Sequence, residues 1–278
     1  MKNRLVCLLG KLKAPFWLLV VGLALVAISP AIFAATCEKT VRWHHDPPYS
    51  SKNPQGVVTG VYVELLQSAL KKMGCSTKLV EMPWARALVE LEAGRLDILP
   101  GALYSVERTR FALFSIPVNT SSNVLFLKKS ALKKFQLKNL EDILQSNFRL
   151  GVQIDVSYGT NFDKLLKDPA FLKHLSLIRN RENGWKMLEI DHIDGLIADE
   201  ATGLIELQDL HLQTLIIKSS VVTSTAPSMI AFSKKTVDSA FVEKFNKVFK
   251  EMVASKEYVQ LKEKHNPCKV SLRALTCS

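Results

Sequence analysis

The sequence predicts an α/β protein built from two similar units, each a β-sheet flanked by helices. Three observations carry this. Residues 41–103 alternate strand-like and helix-like segments, a helix-to-strand joint at 91–102 recurs at 188–199, and 278 residues suffice for two domains.

"VRWHH", from Val41, reads as a short strand. "GVYVELLQSALKKMG" then places Val61, Leu65, Leu66, Ala69, Leu70 and Met73 at helical spacing, with Gly74 as the stop. "STKLVEM" is a second strand. Pro83 opens another helix, "PWARALVELEAG", closed by Gly94, and "RLDILPG" follows as a buried strand. Strand, helix, strand, helix, strand builds a doubly wound sheet. The later joint, "LEIDHIDGLIAD", aligns without gaps on "LEAGRLDILPGA", with Leu91/Leu188, Glu92/Glu189 and Asp97/Asp194 identical. Any short helix-to-strand turn selects similar residues, so the match is a guide to where a cleft lies and no proof of duplication. Ligands of open α/β sheets sit outside the carboxyl ends of strands, here Pro100 to Tyr104 and Ala198 to Thr202.

The leading segment sets the compartment. Residues 1–13 carry Lys2, Arg4, Lys11 and Lys13 and no acid, Phe16 to Ile28 is apolar, and Ser29-Pro30 precedes the small residues Ala34 and Ala35. This pattern predicts a secretory signal peptide over residues 1–35, cleaved after Ala34 or Ala35. Its apolar core falls short of the roughly 20 residues a spanning helix needs, so a soluble periplasmic protein is expected. Cys7 leaves with that segment, and Cys37, Cys75, Cys268 and Cys277 remain. An even count in an oxidising compartment points to two disulfides, with three pairings open. Cys37 opens the first strand, Cys75 ends the first helix, and Cys268 and Cys277 close a short loop, which favours 37–75 with 268–277. No C-x-x-C spacing points to zinc or redox chemistry.

Four of the 37 lysines and arginines belong to the leader, so the remainder exceeds the 26 acids by seven. The lysine pairs at 71–72, 128–129, 133–134 and 234–235 are scattered, and no aromatic-interleaved basic stripe accompanies them. That distribution speaks against nucleic-acid binding and describes a solvated surface that raises the local concentration of anionic solutes.

The richest stretch is "DILPGALYSVERTRFALFSIPV", residues 97–118. Its apolar strand delivers a turn to the cleft, with Ser105 placed as N-cap and Arg108 at the third helical position. This stretch resembles the family 3 extracellular solute-binding proteins, periplasmic components of polar amino acid uptake systems. The family pattern of an Asp, an apolar strand, Ser/Thr-x-Glu-Arg and Phe-Ser-x-Pro is matched by Asp97, Ser105, Glu107, Arg108, Phe114, Ser115 and Pro117. The resemblance runs over residues 38–265, taking in "PPYS", "GVQIDVSYG", "IDGLIADEATG" and "SMIAFSKK".

It implies a two-lobed class II periplasmic-binding-protein fold, each lobe a mixed sheet flanked by helices. The first lobe is expected at 36–125 and 223–278 and the second at 126–222, with hinge crossings near 123–128 and 219–226. By the resemblance, Arg108 takes a ligand carboxylate through its planar guanidinium, Asp199 receives a ligand ammonium from the other lobe, and Tyr49 covers the ligand's side chain. Ser105, Ser157, Tyr158, Arg86 and Trp84 complete the candidate pocket. Two departures stand out. Leu103 and Gly101 occupy positions where amino-acid-binding members carry hydroxyls, and Asp155 beside an anion site would repel a second carboxylate. Both point away from an ordinary α-amino acid.

His44 and His45 sit side by side on the expected strand and would face opposite ways, so they are not expected to chelate one ion. "HHDPPYS" reads instead as the loop that brings Tyr49 to the cleft, with one histidine lining it. The function expected is a non-enzymatic, monomeric receptor without cofactor or metal. It closes on a small polar, carboxylate-bearing ligand and delivers it to an inner-membrane ABC-type permease or a sensor. The alternative is a lyase on the same scaffold, like the cyclohexadienyl dehydratases.

Overall fold

A computed structural model describes residues 37–265; the expected signal peptide and the Cys268–Cys277 pairing lie outside them. The chain begins with β1 (Cys37–Trp43), β2 (Ser51–Lys52), β3 (Val58–Thr59), α1 (Val61–Lys72), β4 (Cys75–Glu81), α2 (Trp84–Ala93), β5 (Ile98–Leu103) and β6 (Ala112–Phe114). A second set follows: β7 (Asn123–Lys128), α3 (Ala131–Lys134), β8 (Leu150–Gln153), α4 (Thr160–Leu165), α5 (Pro169–Leu172), β9 (Leu175–Ile178), α6 (Arg181–Glu189), β10 (Gly195–Asp199), α7 (Glu200–Asp209) and β11 (Ile216–Ser224). The described chain closes with β12 (Ser228–Ser233), α8 (Ser239–Ala254) and α9 (Glu257–Lys264).

Two five-stranded sheets result, in the orders β4-β1-β5-β12-β6 and β9-β8-β10-β7-β11. In each, the first three strands run parallel and the last two each oppose their neighbour. This is the expected two-lobed α/β architecture, one design used twice. The first sheet is completed by β12, which follows the whole second lobe in sequence, so the chain crosses twice. The crossings fall between Phe114 and Asn123 and between Ser224 and Ser228, a few residues outside the expected span 126–222. The segment 123–128 read as a hinge is the buried strand β7. Among the described residues no helix is long and apolar enough to cross a membrane.

The repeated joint does the same work in both lobes. The Asp97 carboxylate accepts from the Thr40 backbone N–H and hydroxyl, both at 2.7 Å, and so ties β1 to the start of β5. Asp194 accepts from the Arg149 N–H at 2.8 Å and from its guanidinium at 2.9 and 3.0 Å, tying the start of β8 to β10. Strand faces then alternate. In β5, Ile98 packs with Leu65, Leu66 and Phe245, whereas Leu99 packs with Ala87 and Leu91 of α2. In β7, Leu125 and Leu127 meet Phe148 and Phe162, and Val124 and Phe126 meet Trp185 and Leu188. Burial on both faces explains why these strands read as unbroken apolar runs. Cys37 and Cys75 form the expected disulfide; each opens a strand, and the two are in register with Cα atoms 4.5 Å apart.

Helix α8 shows how one polar contact supports a core element. Asp238 accepts from the Phe241 N–H at 2.8 Å, capping a helix whose Phe245, Phe249 and Met252 are buried. Asp238→Ala is expected to cost about 1 kcal/mol, seen as a lower denaturant midpoint at unchanged slope, while Asp238→Asn should keep most of it.

Candidate functional site

Tyr49 reaches the cleft because its loop is clamped to a helix end. Helix α1 has no side-chain cap, and its first donors are met by the loop: Val61 N–H to Pro48 O at 3.1 Å and Tyr62 N–H to Tyr49 O at 3.0 Å. Gly60 makes the approach possible. Its φ is +128°, and a Cβ there would lie 2.4 Å from the Tyr49 carbonyl oxygen. Tyr49 then stacks on Tyr62 with centroids 4.8 Å apart, and the Tyr62 hydroxyl bonds Ser228 Oγ at 2.6 Å. The histidines are placed otherwise than expected. β1 ends at Trp43, so His44 and His45 follow the strand; His45 is exposed, His44 is half-buried with its pKa lowered by burial, and neither lines the cavity.

The lobes enclose a cavity of about 140 Å³. Tyr49, Trp84 and Arg108 reach it from the first lobe, and Ser157, Tyr158 and Asp199 from the second. Ser105 and Arg86 do not. The 3₁₀ turn begins only at Arg108, without a side-chain cap, and Ser105 supports it through its carbonyl, which accepts from the Thr109 N–H at 3.2 Å. Arg86 turns along the surface of α2 to pair with Glu90 at 3.1 Å, with 69% of its side chain exposed.

Arg108 is held by carbonyls and one ring. Its Nη1 donates to Leu103 O at 3.2 Å and its Nη2 to Asp155 O, in the second lobe, at 3.1 Å. The Trp84 indole donates to the same Asp155 carbonyl at 3.0 Å, and its ring centroid lies 5.7 Å from the Arg108 Cζ. Asp155 adopts φ +60°, which presents its carbonyl to the cleft while its side chain is exposed and lies off the cavity. What meets Arg108 at hydrogen-bond distance is therefore a neutral acceptor, while the carboxylates of Asp163, Glu107 and Asp155 act on it through space. Burial draws the Arg108 pKa down.

Asp199 ends β10 and caps α7, its Oδ1 accepting from the Thr202 N–H at 3.0 Å. Its Oδ2 accepts from the Tyr49 hydroxyl across the cleft at 3.4 Å. Burial raises its pKa, the hydrogen bonds acting the other way. Among the described residues neither Arg108 nor Asp199 makes an ion pair within 4.0 Å. Ser157 and Tyr158 hold the second-lobe wall: the serine hydroxyl donates to Asp163 at 2.9 Å, and the buried tyrosine hydroxyl accepts from the Gln153 N–H at 2.9 Å.

The sequence reading missed a buried row of charges at the edge of the same cavity. Asp46 Oδ2 accepts from Arg42 Nη1 at 2.6 Å, and Asp46 Oδ1 accepts from Arg181 Nη2, across the cleft, at 2.5 Å. Arg181 also pairs with Glu206 at 2.9 Å and donates to Gln153 Oε1 at 3.1 Å, and the Trp185 indole donates to Glu206 at 2.7 Å. Burial alone would raise the Asp46 pKa, but the two guanidinium groups hold it far below the usual carboxylate range. Two signals were available. Arg42 is a charge inside the apolar run "VRW", and Arg181 follows the carboxyl end of a parallel strand, β9. Bringing them together required the strand order.

A family model described as bacterial extracellular solute-binding proteins, family 3, matches residues 40–267. The L-cystine-binding protein TcyJ of Escherichia coli (strain K12) is 24% identical over 159 residues, so the match spans just 57% of the length of each chain. The arginine-binding extracellular protein ArtP of Bacillus subtilis (strain 168) is 27% identical over 221 residues, 78% of this chain and 81% of that one. Among solved structures, an ABC uptake transporter substrate binding protein from Streptococcus pneumoniae with bound histidine aligns with TM-score 0.69 at 19% identity, covering 85% of this chain and 95% of that one; the likeness is one of fold.

Proposed function

The chain belongs to the bacterial extracellular solute-binding proteins, family 3, and we propose that it is a non-catalytic periplasmic receptor, exported by a cleaved signal peptide, whose lobes close on a small amino acid or a close relative. The closed form would deliver that ligand to an ABC-type permease or a sensor. One observation carries the ligand class. Arg108 and Asp199 reach one cavity from opposite lobes, each largely desolvated, and each lacks an ion-pair partner among the described residues. Buried charges are ordinarily paired, so a ligand that brings a carboxylate to Arg108 and an ammonium to Asp199 completes both at once. Because the two groups sit on different lobes, such a ligand favours the closed form by its differential affinity for it.

The test is a thermal-shift panel of the amino acids, their methyl esters and the corresponding 2-keto acids on the exported protein. A ligand at about 100 times its Kd adds about 2.7 kcal/mol of stability, which a melting curve detects readily. Free amino acids should shift the melt where their esters and keto acids do not. Esters binding as well as acids would remove Arg108 from its role. Turnover of the ligand, followed by mass, would move the protein to the lyase class.

A further inference from the structure

Among the described residues the charged lining of the cavity comprises Arg42, Arg108, Arg181, Asp46 and Asp199, three cations against two acids. The acids differ in what they have left to offer. Both oxygens of Asp46 are taken by guanidinium groups, Oδ2 by Arg42 at 2.6 Å and Oδ1 by Arg181 at 2.5 Å. Glu206, behind the wall, is engaged by Arg181 through Nε at 3.0 Å and Nη2 at 2.9 Å and by the Trp185 indole at 2.7 Å. Asp199 alone among the lining acids faces the cavity with neutral partners only. The pocket thus has one place for a ligand cation and none for a second.

We propose that Arg181 is the specificity-determining residue of this site: as a cation belonging to the protein, it occupies the acids that the side chain of a basic ligand would need. The proposal rests on the receptor reading and narrows it to ligands with one ammonium, one carboxylate and an uncharged remainder. A lysine or arginine ligand could place its α-ammonium at Asp199 and its carboxylate at Arg108. Its second cation would then be desolvated near Arg42 and Arg181, with their acids already saturated. Rejection comes from an unpaired charge rather than from lack of room, which is how a site discriminates strongly between ligands of similar size. The arrangement also opens without stranding a charge, since Asp46 keeps Arg42 in the first lobe and Arg181 keeps Glu206 in the second.

Calorimetry with arginine, lysine, glutamine, methionine and the best ligand of the thermal-shift panel tests this on the wild type, Arg181→Met and Arg181→Lys. The wild type should bind its best ligand at least about 100-fold more tightly than arginine or lysine. Arg181→Met frees Asp46 Oδ1 and Glu206, and should bind arginine at least about tenfold more tightly than the wild type does; Arg181→Lys keeps the cation and should keep the rejection. Arginine or lysine as the best wild-type ligand overturns the proposal and leaves the receptor reading standing, as does Arg181→Met with unimproved arginine binding. A panel in which nothing binds overturns the receptor reading and the proposal with it. If Arg181→Met does not fold, Arg181→Gln carries the same comparison.

Discussion

Arg108→Met is expected to weaken ligand binding by about 2–5 kcal/mol, or roughly thirtyfold to several thousandfold, the cost of leaving a desolvated ligand carboxylate without its partner. Methionine preserves the length and packing of the side chain, so the loss reports on hydrogen bonding and charge. Three features make the estimate specific to this arginine. Nη1 and Nη2 each spend one hydrogen on a carbonyl, at Leu103 and Asp155, and this fixes the plane of the guanidinium with its other donors unspent. Trp84 lies against it and donates to the same Asp155 carbonyl, which buttresses the geometry. Among the described residues Arg108 also has no protein carboxylate within ion-pair reach, so binding need not break a pair first. Arg108→Lys should recover only part of the loss, because an ammonium cannot make two parallel bonds. Calorimetry on both variants with the ligand found by thermal shift measures the effect. Binding of Arg108→Met within threefold of the wild type would mean that the carboxylate is held elsewhere.

The fold was legible because its signals are local. Helix α1 has its apolar stripe and Gly74, helix α2 has Pro83 and Gly94 at its ends, and β5 and β10 follow matching joints. Part of the site was legible for the same reason, since Arg108 and Asp199 stand where strands deliver their carboxyl ends. Orientation was not. Trp84 and Arg86 are two residues apart on one helix and so point to opposite sides of it, but which of them faces the cavity is set by the tertiary position of α2: Trp84 does, and Arg86 pairs with Glu90. Asp155 adds a second contact that its residue type does not announce: beside its charge, which acts on Arg108 through space, its carbonyl accepts from both Trp84 and Arg108. The Asp46–Arg181 pair joins residues 135 positions apart and depends on the apposition of two lobes. No short pattern encodes such a contact.

Asp199→Asn is expected to cost an amino-acid ligand a comparable 2–5 kcal/mol while leaving the unliganded protein as stable as before or more so. The two effects separate because the carboxylate does two jobs. As the cap of α7 it accepts from the Thr202 N–H, a role the asparagine oxygen can fill. As a buried anion beside the neutral Tyr49 hydroxyl it is held at a raised pKa by desolvation, so its ionisation works against the empty protein. The sign follows from that shift. A carboxyl whose pKa is raised on folding adds stability at low pH, and that contribution fades as pH rises through the raised folded value, above 3.8. A ligand ammonium reverses the balance by lowering the pKa again, so affinity should grow as pH rises through that range and binding should release protons to the buffer. A ligand with a carboxylate and no amine would behave oppositely, binding best while Asp199 is protonated. Titrations across mildly acid pH, in two buffers of different ionisation enthalpy, read both the slope and the proton release. The slope should disappear in Asp199→Asn. A flat profile in the wild type, together with unchanged affinity in the variant, would show that Asp199 does not meet the ligand.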